Sequence, residues 1–435
     1  MTKLQKKIAT AIATGALLFQ TVIPVLAQST TLVISGNGAE TDNDINLSQT
    51  TTTTVVQNNV ANISNNVDAD AETGENDQNY NTGGPVSLTT GDATTGVAIS
   101  NTANSNVAEV SGCCDVDVDV EISDNGYKSD NTANLKLDNS TALFQNNYAY
   151  IKNEVDAESE TGENDQNYNT GGPVSMETGD ADTTVLIANK ANSNWAKIGD
   201  GSGGASVSLK IIGNGAETDN DINLLFDRSL LLTQDNYANI KNKVDADAET
   251  GENDQNYNTG GPVSLETGDA TTVVGIDNLA NFNFADLNCG CLLDVVAKIA
   301  GNGYNADSDI YAALLDTKAA FQTNSYVCGY GYQFPWGGGG DLSFPWYGYQ
   351  KKACNDVDAE AETGENDQNK NTGHSADPSM ETGDATTWVD IGNTANSNVL
   401  IEGGLGLPEL PDFDFEFDLG FNWLLWWGLL SGNSS

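Results

Sequence analysis

VDADAETGENDQNYNTGGPVS, beginning at Val67, decides the fold, because the chain repeats it four times. It returns with two changes at Val155, unchanged at Val244, and as VDAEAETGENDQNKNTGHSADPS at Val357. Each copy is followed by Thr-Gly-Asp-Ala, starting at Thr90, Thr178, Thr267 and Thr382. Next come NTANSN at Asn101, NKANSN at Asn189, NLANFN at Asn278 and NTANSN at Asn393. Upstream, QNNVANI at Gln57 answers QNNYAYI at Gln145, QDNYANI at Gln234 and QTNSYVC at Gln322, at spacings of 88, 89 and 88 residues. A period of this length marks a repeat architecture in which each unit buries a face on its neighbours.

Within a unit the alternation is that of a strand. From Cys114 to Ile122 the order CDVDVDVEI sets Val116, Val118, Val120 and Ile122 on one face and Asp115, Asp117, Asp119 and Glu121 on the other. Val67, Ala69 and Ala71 alternate with Asp68, Asp70 and Glu72 in the same way, and Gly-Asn-Gly turns at Gly36, Gly213 and Gly301 punctuate the strands. A fainter half-repeat lies inside each unit: AETDNDIN from Ala39 echoes AETGENDQN from Ala71, and Asn-x-Ala-Asn occurs in both halves. The fold class expected is all-β. Two architectures fit, a string of four β-sandwich domains or a continuous β-solenoid (β-helix) with several rungs per unit. From Val67 to Asn106 the large apolar residues are only Val67, Tyr80, Val86, Leu88, Val97 and Ile99, a supply that suits a narrow solenoid interior of stacked Asn and Thr. The units fall near residues 34–121, 122–210, 211–298 and 299–400, within a repeat region of 28–400, and the expected shape is an elongated stalk.

Residues 1–27 read as an export signal peptide: Lys3, Lys6 and Lys7, an apolar run from Ile8 to about Ile23, and small residues before a cleavage site after Ala27. The apolar run is shorter than a spanning helix needs, so no transmembrane span is expected in the mature chain, which is placed outside the cell, at a bacterial surface. Acidic residues outnumber basic ones 62 to 17, for a net charge of -45. Repulsion excludes nucleic acid and anionic membrane as partners and favours cations. With 38% hydrophobic residues and no long blocks of like charge, the chain is expected to fold.

The combination of Asn-x-Ala-Asn, Thr-Gly-Asp-Ala-Thr and Gly-Asn-Gly turns, over residues 34 to 400, resembles uncharacterised secreted Asn/Thr/Gly-rich repeat proteins of uncultivated small-genome bacteria. That resemblance implies an extracellular or surface location and no activity. A weaker likeness, carried by Gln57-Asn58-Asn59-Val60-Ala61-Asn62, is to curlin-type repeats, whose Gln and Asn ladders build fibres; the curlin glycine pattern and paired strand-end glutamines are missing.

Four sets of acids are the candidate metal ligands: Asp68, Asp70, Glu72, Glu75 and Asp77; Asp156, Glu158, Glu160, Glu163 and Asp165; Asp245, Asp247, Glu249, Glu252 and Asp254; Asp358, Glu360, Glu362, Glu365 and Asp367. The Thr73-Gly74 turn folds Glu75 and Asp77 back toward Glu72, and an all-oxygen set selects Ca²⁺. The glycine falls one place late for an EF-hand loop, and a solvated acidic face explains the run equally well. In an exported chain, Cys113, Cys114, Cys289, Cys291, Cys328 and Cys354 are expected to form disulfides. Cys328 aligns with Ile63 and Cys354 with Ser64, adjacent template positions, so these two are expected to bond across an insertion.

That insertion holds two Phe-Pro-Trp triplets and a glycine hinge from Gly337 to Gly340; Tyr330, Tyr332, Phe334, Trp336, Phe344, Trp346 and Tyr347 are its candidate ligand-binding residues, toward cell-surface glycans or proteins. The same rings could equally pack on the solenoid flank. The tail 401–435 alternates Phe413, Phe415 and Phe417 with acids and ends in Trp423, Trp426 and Trp427, a pattern for a cap, an interfacial anchor or a self-association edge. Catalysis has little support: His374 is the single histidine, and acids copied four times do not make a unique site. The function expected is therefore a structural or adhesive surface protein and not an enzyme. The alternatives are a carbohydrate-binding module and, further off, a β-helix enzyme that cleaves polysaccharide.

Overall fold

A computed structural model describes residues 18–21, 28–110, 116–199, 205–287, 293–328, 354–373 and 378–402. All regular structure among them is strand. After β1 (Leu18–Thr21), the first coil comprises β2 (Gln28–Ser35), β3 (Asp42–Glu72), β4 (Val86–Thr89) and β5 (Ala93–Val110). The second repeats it as β6 (Val116–Ser123), β7 (Asp130–Glu160), β8 (Val174–Glu177) and β9 (Ala181–Ile198). The third is β10 (Ala205–Ile212), β11 (Asp219–Glu249), β12 (Val263–Glu266) and β13 (Ala270–Leu287). In the fourth, β14 (Leu293–Ala300) leads to a long strand split into β15 (Asp307–Val327) and β16 (Asn355–Glu362), then β17 (Ser379–Glu381) and β18 (Ala385–Glu402).

Four parallel sheets run through all four coils, in the orders β2-β6-β10-β14, β3-β7-β11-β15, β4-β8-β12-β17 and β5-β9-β13-β18, with β16 completing the second on β11 and β1 on the free edge of β5. The molecule is a β-solenoid, and continuous sheets exclude a string of separate sandwiches. The expectation of several rungs per unit is corrected: Val67 pairs with Val155 and Val155 with Val244, so one unit closes one coil. The half-repeat that suggested more rungs has another origin. Asn-x-Ala-Asn recurs because β3 and β5 face each other and feed the same interior, where Asn59 bonds Asn106 and Asn65 bonds Asn101. The shape changes with it. At ~3.3 Å per residue the 31-residue β3 is about 100 Å long, whereas four coils at ~4.8 Å stack to only about 20 Å. The long dimension lies along the strands, not along the stack as a stalk would require.

The interior follows the alternation. Val118, Val120 and Ile122 point inward against Ala133, Leu135 and Leu137 of the opposite sheet, while Asp117 stays outside; the Val116 side chain lies outside the described set. A second cluster joins Leu143, Ala196, Ile198 and Leu232, and a third Val155, Val185, Ile187, Val244 and Ile276. A parity problem arises in NTANSN, because Asn101 and Asn106 are five apart and would point to opposite faces of a regular strand. A bulge solves it: Asn104, Asn192, Asn281 and Asn396 adopt φ of 59°, 63°, 62° and 65°, and the buried parity switches there. Asn tolerates this left-handed conformation better than most residues.

Candidate functional site

The interior polar network is the most elaborate chemistry in the molecule. In a first ladder of Asn59, Asn147, Asn236 and Asn324, the first three donate both across and along the stack: Asn147 Nδ2 reaches Asn194 Oδ1 across the coil (2.8 Å) and Asn236 Oδ1 in the next coil (3.0 Å). Asn101, Asn189, Asn278 and Asn393 form a second ladder with steps of 2.7 Å. Gln57, Gln145, Gln234 and Gln322 form a third that donates in the opposite sense, each step 2.7 Å. Because each amide carries both donors and an acceptor, identical residues in register satisfy one another, which is why the sequence is copied so closely.

The acids form ladders as well. Asp68, Asp156, Asp245 and Asp358 stand in register, as do Glu72, Glu160, Glu249 and Glu362, all on strand faces turned from the core. In the arch that follows, Asp77, Asp165, Asp254 and Asp367 are bridged coil to coil, and Glu75, Glu163, Glu252 and Glu365 sit at φ of 53°. Burial, then the neighbouring Glu163, Glu72, Glu158 and Glu75, raise Glu160 to about 7. Burial and Glu252 raise Glu249 to about 7, and burial and Asp245 raise Asp247 to about 6. One oxygen of Glu160 and one of Glu249 are buried with no hydrogen-bond partner among the described residues. Across the turn Glu163 lies close enough to bias Glu160. Yet among the described residues no three His, Cys, Asp or Glu side chains converge to hold a metal ion. The remaining candidate ligands, Asp70, Glu158, Asp247 and Glu360, continue the ladder pattern on the same outward face.

Cys328 and Cys354 take the register positions after Val327 and before Asn355, beside Ile240 and Lys241, and form a disulfide with Cα atoms 4.5 Å apart. The scaffold alone brings these adjacent template positions together. The insertion's Tyr330, Tyr332, Phe334, Trp336, Phe344, Trp346 and Tyr347 lie outside the described residues, as do Cys113, Cys114, Cys289, Cys291, His374 and the tail from 403.

Three features escaped the sequence reading. Tyr80, Tyr168 and Tyr257 stack face to face at 4.9 and 4.8 Å on the arch, and Lys370 caps the column 4.6 Å from the Tyr257 ring. The signal was there, since NDQNY becomes NDQNK only in the fourth copy. A shallow open groove lies on the long sheet, lined by register mates such as Asn46, Asn134 and Asn223 and, in the fourth coil, Tyr311. Finally, the fourth coil leaves core positions uncovered: Val389 and Ile391 are exposed, although their register mates Val274 and Ile276 are buried.

No helix among the described residues is long and apolar enough to cross a membrane. No family model, curated protein or solved structure matches this chain.

Proposed function

We propose that the chain is a secreted structural protein of the bacterial cell surface, whose coils form a rigid β scaffold and whose insertion between Cys328 and Cys354 carries recognition of glycans or proteins. The observation that supports the scaffold reading most directly is the continuous amide network, which ties every coil to the next through the same amides copied from coil to coil. A catalytic centre is a singular arrangement, and the repeated acids offer the same geometry again and again. The insertion, by contrast, interrupts one coil only and is anchored at both ends on the edge of the long sheet. Calcium belongs to this reading as a counter-ion that stiffens the acidic ladders, with the acids in rows and not in a cage.

Antibody labelling of intact producing cells tests location, and glycan and cell binding by the purified chain, with and without Trp336→Ala plus Trp346→Ala, tests recognition. Surface labelling with binding lost in the double variant supports the reading. A chain retained inside the cell, or polysaccharide cleavage by the purified chain, overturns it.

A further inference from the structure

The two ends of the stack are not equivalent, and the difference has a direction. In the Asn ladder at the β5 bulge each Nδ2 donates toward the fourth coil: Asn104 to Asn192, Asn192 to Asn281, and Asn281 to Asn396, at 3.0, 2.9 and 2.9 Å. Asn104 also donates to Tyr148 O (2.7 Å), as Asn192 does to Tyr237 O and Asn281 to Ser325 O in their turn. The series stops at Asn396. Its Oδ1 is occupied by Asn281, while its Nδ2 and that of Asn393 face the end of the stack with no acceptor among the described residues. At the opposite end, Asn104 Oδ1 and the carbonyl of Val60, the register mate of Tyr148, accept from no Asn side chain of another coil among the described residues.

We propose that the fourth coil of one copy receives the first coil of a second copy in the same parallel register, so that chains join head to tail into an open filament. Asn396 then donates to Asn104 Oδ1 and Val60 O of the second copy, as each of its register mates already does to the next coil. Asn393 continues onto Asn101 in the same way. On the fourth coil Val389 and Ile391, 41% and 40% exposed, are open to a further coil, whereas Val97 and Ile99 on the first coil are only 7% and 6% exposed. The arch offers the match, because Tyr80 exposes 71% of its surface at the first coil while Lys370 ends the column at the fourth, a ring face and a cation that meet in this register. A contact between unlike ends does not close on itself, so it grows. β1 pairs with Asn106 to Glu109 on the first edge and must leave β5 for a second copy to dock there, whereas β3 has no partner strand on that edge among the described residues. The proposal goes beyond the scaffold reading and does not depend on export, since it concerns the purified chain alone.

Light scattering after size exclusion, together with electron microscopy across a concentration series, tests it on the full chain. Asn393→Asp plus Asn396→Asp keeps the acceptors that Asn278, Asn281 and Asn355 use and turns the two outward donors into acceptors. Expected are filaments of the parent chain and a critical concentration raised about a hundredfold or more in this variant, with unchanged circular dichroism. Tyr80→Lys should also weaken assembly by setting Lys against Lys370, and adding Lys370→Glu should restore it. A parent chain that stays monomeric at high concentration, as it would if its own tail covered the fourth coil, overturns the proposal. So does a dimer that stops at two copies, or assembly indifferent to all three variants.

Discussion

Stability of this protein should fall as pH rises from 5 to 8, the reverse of ordinary acid denaturation. Glu160 and Glu249 are held at about 7, first by burial and then by neighbouring carboxylates. A raised carboxyl pKa means that the folded chain binds the proton more tightly than the unfolded one. Its stabilising contribution is therefore complete below the unfolded value of about 4.3 and lost as pH climbs through about 7. At ~1.36 kcal/mol per pKa unit the gross effect is ~3.5 kcal/mol for each residue; both are part-exposed, so solvent screening reduces this to ~1–2 kcal/mol apiece. The pair then contributes about 3 kcal/mol, a difference of about 4 °C in melting temperature for a β domain of this size. Few groups oppose the trend, since Asp316, paired with Arg228, and Glu154, paired with Lys152, are the carboxyls held low among the described residues.

The variant that isolates the cause is Glu160→Gln with Glu249→Gln, which keeps shape and hydrogen-bonding capacity while removing the charge. Melting followed by circular dichroism at pH 5, 6.5 and 8, in chelator, should show the variant level with the parent at pH 5 and above it at pH 8. A double variant that melts lower than the parent at pH 8, or a parent whose melting temperature rises over this range, would refute the reasoning.

Three further outcomes follow from the geometry. Gly162→Ala places a Cβ 2.0 Å from the carbonyl oxygen of Gly251 and should cost ~3 kcal/mol or more by urea denaturation, whereas Gly96→Ala, with nothing within 4 Å, should change stability by less than about 0.5 kcal/mol. Asn194→Ala removes one acceptor each from the amides of Asn106 and Asn147 and should cost about 3 kcal/mol or more, read by the same assay; an effect below 1 kcal/mol would mean that the network is not cooperative. Because the acids stand in rows and do not converge, Ca²⁺ and Mg²⁺ at equal concentration should raise the melting temperature almost equally, and a rise confined to Ca²⁺ would reveal a selective site.

Much of the fold was legible because the signal was periodic. Alternation in Cys114 to Ile122 placed Val118 and Val120 inside, and alignment of the copies put Cys328 and Cys354 on neighbouring positions before any coordinate did. What the sequence concealed was the size of a rung. Similarity between the halves of a unit is what stacked rungs would produce, and also what two facing strands produce when both must feed Asn into one interior. The spacing of Asn101 and Asn106 held the answer in part: five is an odd number, so a bulge had to intervene for both to face inward. The candidate acids were legible as a row but not as separate rows along the stack, since that depends on which residues lie one coil apart. The exposed fourth coil was illegible for a different reason. Its Val389 and Ile391 have the same neighbours in sequence as their buried mates, and only the count of coils leaves them at an end.

One rung per unit also explains why the copies vary where they do. A residue in this stack touches its own equivalent above and below, so a substitution is tolerated only where like-against-like contact was not essential. Interior Asn and Gln positions vary little, because an amide satisfies a second amide in register; where Ser308 stands against Asn220, a hydroxyl takes over as acceptor. Outward positions are free to change, and there the chain replaces Ser64 by Lys152 and Lys241, and Glu109 by Lys197, which reaches back to Glu109 at 3.1 Å. The scarce basic residues are thereby spent across coils: Lys197 with Glu109, Lys210 with Asp119, and Arg228 with Asp316 each join one coil to the next. An acidic protein built by stacking like on like accumulates repulsion with every coil. Cross-coil cations and protonated ladder carboxyls are the two means by which this chain relieves it, and both act along the axis on which a further copy would add.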